Sequence, residues 1–180
     1  MMMHKLGLVA WLWLAALQAL QAQTPWHPTQ ASVTFTIDKL GGTAEGSFAG
    51  FEGTLLFDPA QPERSRLEAS VQTATLKTGI AMRDRHLRSD DYFHAERYPR
   101  IHMVSQSVRA TPAGYEGRFL LTLKNVTRPV TMPFTFTPQP GGKVRFAGSL
   151  TINRRDFGVG PKTFMLEDEV RLKLVVDAQP

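Results

Sequence analysis

From Val33 to Val176 the chain repeatedly alternates apolar and polar residues in short runs, and turn-forming residues separate the runs. Period-two alternation marks strands that bury one face and wet the other. Val33, Phe35 and Ile37 form the first run, and Phe51, Gly53, Leu55 and Phe57 form a second that stops at Asp58-Pro59. Leu67, Ala69, Val71 and Thr73 follow, and Ile101 and Met103 open a fourth run after Pro99. Tyr115 to Leu123 supplies the fifth, Val130 to Phe136 the sixth, Val144 to Ile152 the seventh, and Val170 to Val176 the eighth. The links between late runs are short: Pro112-Ala113-Gly114, Asn125 to Pro129, and Gly141-Gly142. Links this tight join antiparallel neighbours, because parallel ones need long crossovers. The pattern therefore predicts an all-β, eight-stranded antiparallel architecture. Near-sequential hairpins favour an up-and-down barrel over a sandwich, since closure removes exposed edges.

One stretch breaks the alternation. Thr78 to Tyr98 is charged and aperiodic, and predicts one short helical segment between strands three and four. Met82, His86 and Leu87, with Tyr92 and Phe93 beyond, would share an apolar side, while Arg83, Asp84, Arg85 and Arg88 face outward or pair. Ser89-Asp90-Asp91 marks the helix end.

Parity along the runs also predicts which side chains face inward and could line a ligand site. They are Phe35 and Ile37 from the first run, and Phe51, Leu55 and Phe57 from the second. Leu67 and Val71 follow from the third, and Ile101 and Met103 from the fourth. The later runs add Phe119 and Leu121, then Phe134, then Phe146 and Leu150. A one-residue bulge would turn any run to the other face. Parity does not separate a barrel filled by these side chains from one that encloses a guest, so both readings stand at this point.

The N-terminus adds a location. A basic start (His4, Lys5), an apolar run from Leu6 to Leu20 and small residues up to Ala22 predict a secretory signal over residues 1–22. Its apolar run is shorter than the ~20 residues of a spanning helix. Residues 23–180 are then expected to form one exported domain.

Composition excludes several function classes. The chain has no Cys, so no disulfide or lipid-modified thiol supports it and a real hydrophobic core is required. Its formal charge of +5 comes from scattered Lys and Arg, which argues against nucleic acid as a partner. A mildly basic surface does suit anionic head groups of the inner membrane. His27, His86, His94 and His102 lack zinc-ligand spacing, and no metal is expected. No Gly-x-Ser-x-Gly elbow occurs, and the chain is expected not to be an enzyme. Arg83, Asp84 and His86 have two readings: pins that hold the helix to the barrel, or groups that gate the barrel or meet a head group. Arg154, Arg155 and Asp156 read as a structural corner or a contact to a polar head.

Several segments carry a family resemblance in the same order. They are Gly50-Phe51-Glu52-Gly53 with Phe57-Asp58, and Thr78-Gly79 with Met82-Arg83-Asp84-Arg85-His86-Leu87. Tyr92-Phe93, Tyr98-Pro99-Arg100-Ile101, Leu121 to Thr127 and Arg155-Asp156-Phe157-Gly158 complete the set. In these the chain resembles the YceI-like family of periplasmic polyisoprenoid-binding proteins. The resemblance implies a lipocalin-like barrel in the periplasm that shields an isoprenoid or other apolar lipid, of polyprenyl or prenyl-quinone type, without catalysis. It implies no cofactor beyond that bound lipid, and a homodimer stays open. The alternative is an envelope stress or interaction module with a filled barrel and no stored ligand.

Overall fold

The computed structural model describes residues 25–180, so the signal assigned to residues 1–22 lies outside the described residues. Nine strands follow in chain order: β1 (Pro25–Lys39), β2 (Gly42–Phe48), β3 (Glu52–Leu56), β4 (Arg66–Gln72), β5 (Arg100–Thr111), β6 (Gly114–Leu123), β7 (Val126–Pro138), β8 (Val144–Asn153) and β9 (Leu166–Gln179). Among the described residues a single α-helix, α1 (Ala81–Arg88), sits between β4 and β5, where the aperiodic stretch predicts it. All strand pairs are antiparallel, and β1 pairs with β9 to close the sheet into a barrel.

The barrel has eight staves, one of them broken. β2 pairs with the second half of β1 (Val33 opposite Phe48), and β3 pairs with its start (Pro25 opposite Leu56). Both pairings share one register, so β2 and β3 form one stave that parts from β1 around Ala49–Phe51. At that break the chain leans toward β4 instead: the Gln72 N–H donates to the Ala49 carbonyl at 3.1 Å, and the Ala49 N–H donates to Thr75 Oγ1 at 2.8 Å.

The alternation is reproduced with local exceptions, among them register shifts in β1 between Pro28 and Gln30 and between Ile37 and Lys39. A bulge between Ser105 and Ser107 in β5 shifts the register, so Ile101 and Met103 face inward with odd parity while buried Val108 faces inward with even parity. The turn expected from Asn125 to Pro129 is tighter than that, because β7 already begins at Val126. Lys124 and Asn125 make the reversal alone, and Lys124 adopts a φ of 53° to do so.

α1 is short and is held by its own polar side chains. The backbone N–H and hydroxyl of Thr78 both donate to Asp84 Oδ1. Arg83 Nε donates to Thr78 Oγ1 at 2.7 Å and its Nη2 donates to the Thr78 carbonyl at 2.9 Å. At the other end Arg88 Nη1 donates to the carbonyls of Ala74 and Leu76, fixing the helix to the chain just after β4. Arg85, His86 and Arg88 fill the last turn, where cations complement the helix dipole. Two expectations need correction. Asp84 is buried rather than outward, because it satisfies Thr78, and Met82 is exposed rather than on the apolar side.

Candidate functional site

The two ends of the barrel are built differently. At the end where β1 begins, aromatic rings fill the interior. Phe57 is 2% exposed and meets Tyr115 and Phe136 at 4.9 Å between centroids, and Phe146 at 5.6 Å. Trp26 closes this plug, packing on Phe136 at 5.5 Å and donating its indole N–H to the Phe57 carbonyl at 3.0 Å. Edge-to-face pairs of this kind contribute about 0.5–1.5 kcal/mol each beyond their area.

Toward α1 the interior is open. A cavity of about 320 Å³ lies between the strands and the helix, walled almost wholly by aliphatic and aromatic side chains. Deeper in, a second space of about 60 Å³ runs down to the plug. Phe51, Ala69, Met103 and Leu174 line both, so these four side chains form the partition between them. The wider space opens beside α1, where the lining residues Lys39 and His86 are solvent-exposed.

Of the fourteen residues expected from parity, eight line the larger cavity: Phe35, Ile37, Phe51, Val71, Ile101, Met103, Leu121 and Leu150. Leu55, Leu67, Phe119, Phe134 and Phe146 line only the smaller one. Phe57 lines neither; it belongs to the plug. The choice between a filled and a hollow barrel thus resolves by position: filled at one end, hollow at the other.

Other wall residues escaped the parity set. Val33, Leu123, Ile152, Val170, Leu172 and Leu174 continue the same inward rows and were available to the same signal. Ala44 and Phe48 belong to β2, a strand that the alternation passes over. Leu87, Tyr92 and Phe93 come from α1 and the turns after it.

Small residues make room for the rings that shape this interior. A Cβ at Gly46 would collide with the Phe35 ring, and one at Gly117 would collide with the Phe119 ring. The Phe35 ring therefore lies against the neighbouring strand β2, and the Phe119 ring lies back along its own strand β6, each at a position where only glycine lets it.

Polar groups gather at the mouth. Lys39, Thr78, Arg83, His86 and Arg154 all reach its wall. Of the helical motif, Asp84 is a pin, and the Thr78 hydroxyl holds its carboxyl below the usual range. Arg83 both braces Thr78 and borders the cavity, while His86 borders it and packs edge-on against Tyr92 at 4.9 Å. Arg154 is 3% exposed. Its guanidinium donates to the carbonyls of Val159 (2.8 Å), Pro161 (3.1 Å) and Glu167 (3.0 Å), and pairs with Asp168 at 2.8 Å. It ties the loop before β9 to the end of β8. Among the described residues no group of three or more His, Asp or Glu is placed to hold a metal ion.

Comparison with known proteins places this geometry among relatives. The family model of the YceI-like domain matches residues 26–178. A UPF0312 protein of Pseudomonas savastanoi pv. phaseolicola is 36% identical, over 78% of each chain. The structure of BcnA from Burkholderia cenocepacia superposes with a TM-score of 0.77 at 29% identity, covering 83% of this chain and 96% of that one. A polyisoprenoid-binding domain from Saccharophagus degradans shares the fold, with a TM-score of 0.67 over 86% of this chain and 97% of its own, at 12% identity.

Proposed function

This chain belongs to the YceI-like family, and from that membership we propose that it is a non-catalytic carrier which shields the tail of an isoprenoid lipid inside its barrel. The observation that carries the reading is the apolar cavity, closed at one end by the aromatic plug and open at the other beside α1. A long apolar tail enters from the mouth and stops at the plug.

The size of the space sets what it holds. A volume of about 320 Å³ lies near the lower end of the ~300–1,000 Å³ range of small-molecule sites. Counted at the ~30 Å³ that one water-sized group occupies in a liquid, this is room for at least about ten carbons. Burying ten carbons contributes about 8 kcal/mol gross, the equivalent of micromolar affinity before the cost of ordering the tail. A tighter site takes a longer tail, and the partition at Phe51 and Met103 is where the two spaces would join. Met has three rotatable bonds and adapts to such a change.

At the mouth, Lys39, Arg83 and His86 offer hydrogen-bond donors. They suit the oxygens of a quinone or phosphate head left outside the barrel. In this reading residues 1–22 direct export, residues 23–180 are the carrier domain, and the protein works in the periplasm. The open interior weighs against the alternative of a filled interaction module.

Mass spectrometry of organic extracts from the purified protein tests the reading. The expected result is a co-purifying prenyl lipid, and reuptake of a detergent-solubilised prenyl-quinone after delipidation. A clean extract with no reuptake would overturn it.

A further inference from the structure

Five large hydrophobic side chains stand exposed among the described residues: Leu40, Ile80, Met82, Phe164 and Met165, from 53% to 89% exposed. Single exposed apolar residues scattered over a surface are ordinary. These are not scattered. Leu40 follows Lys39, Phe164 and Met165 precede Leu166, and Ile80 and Met82 lie between Thr78 and Arg83; Lys39, Leu166, Thr78 and Arg83 all line the larger cavity. The Leu40 N–H donates to the Met165 carbonyl at 2.9 Å, which joins the β1–β2 turn and the loop before β9 into one edge. The plugged end contributes none of the five.

The side chains flanking the five are mainly basic. Lys39 and Lys162 flank the Leu40–Phe164–Met165 group, and Arg83 and Arg85 follow Met82 on α1. Nearby acids are mostly spoken for. Asp38 pairs with Arg171 at 3.0 Å, Asp168 pairs with Arg154 at 2.8 Å and Asp84 is buried on Thr78, leaving Glu167 as the nearest exposed acid in sequence, with Glu45 and Glu169 farther along β2 and β9. An apolar surface set in basic side chains matches the interface of an anionic bilayer, where apolar groups enter the acyl boundary and cations meet head groups. Two such rims facing each other would set like charges together, which disfavours a second copy as the occupant.

We propose that the rim of the barrel mouth is a docking surface for an anionic phospholipid bilayer, through which a lipid tail passes between membrane and cavity without crossing water. The transfer part rests on the carrier reading of the cavity; the docking part rests on the rim alone. Phe164 and Met82 are its leading inserts, being 89% and 73% exposed.

The test compares the protein with the double variant Phe164→Asp, Met82→Asp. Both positions are exposed, and circular dichroism checks that the fold is kept. Flotation with phosphatidylethanolamine vesicles, with and without phosphatidylglycerol, reads docking. Extraction of a prenyl-quinone from the same vesicles reads transfer, and uptake of that quinone from detergent reads the cavity. The wild type is expected to float with phosphatidylglycerol vesicles and to be released by salt. The variant should lose roughly tenfold or more in vesicle affinity and in extraction, since carboxylates do not enter the interface, while keeping its detergent uptake. A wild type that stays in solution, or a variant that floats equally, overturns the proposal. So does a concentration-dependent dimer that the variant loses with no vesicle binding. Salt-sensitive flotation without detergent uptake would remove the carrier reading and leave the docking surface standing.

Discussion

Replacing Ala69 by Leu should make the empty protein more stable and the carrier worse. Ala69 faces inward from β4, opposite Gly53 and Met103, at the partition between the two spaces. Leu adds three carbons, about 90 Å³ at ~30 Å³ each, against a cavity of about 320 Å³. About three tail carbons lose their place. At ~0.8 kcal/mol per carbon that is ~2.4 kcal/mol, or about 60-fold in Kd. The ligand-free state moves the other way. Filling cavity at ~24 cal/mol per Å³ contributes up to ~2 kcal/mol, which raises Tm by about 4–8 °C in a domain of this size. Thermal unfolding of delipidated protein and titration with a detergent-solubilised prenyl-quinone measure the two effects. Undiminished binding alongside a higher Tm would refute the reasoning, because the tail would then lie elsewhere. A fall in both Tm and binding would refute it too, because the space beside Ala69 would not admit a side chain.

Gly46→Ala should destabilise by ~1–3 kcal/mol and weaken ligand uptake, because the new methyl drives the Phe35 ring into the cavity and meets the Lys77 carbonyl at 3.0 Å; an unchanged chemical-denaturation midpoint contradicts this. Arg154→Met should cost ~3 kcal/mol or more by stranding the carbonyls of Val159, Pro161 and Glu167, and a Tm within 2 °C of wild type, against the several degrees that such a cost implies, counts against the bracing role. Acid should destabilise the fold. Asp38, Glu52 and Asp177 are held below their usual range by hydrogen bonds from Arg171, Arg100 and Arg145, and Asp84 by Thr78. The unfolded chain therefore takes up protons first, the stabilisation is complete above about pH 4–5, and it fades as pH drops through the depressed values; flat stability from pH 6 to 3 would contradict it.

The strands were legible because one-sided burial writes itself as alternation. Val33, Phe35 and Ile37 announce β1, and Val170, Leu172 and Leu174 announce β9. β2 was not legible, for a reason tied to function. Its inward positions are Ala44, Gly46 and Phe48. The first two are small, which leaves space for the Phe35 ring and the cavity, and a hydrophobic pattern does not register small residues. Hollowness was illegible for a related reason: it depends on the summed volume of side chains from every stave, whereas parity says only which way each one points. The mouth was half legible. Arg83 and His86 stood out by composition, but only the path of the chain after β4 brings them over the opening. Pro129 read as part of a turn, yet it sits within β7 opposite Leu120.

The seam between β1 and β9 has a consequence for the ends of the chain. It sets His27 beside Gln179 and Lys39 beside Leu166. Both ends of the described chain therefore emerge together at the aromatic-plugged pole, a full barrel length from the opening. A linker of a few residues can join them, and new termini can be cut in an exposed hairpin such as Pro140–Gly142. Such a circular permutant leaves every wall of the cavity in place. Attachment to a support through either end of the described chain likewise turns the opening toward free solution.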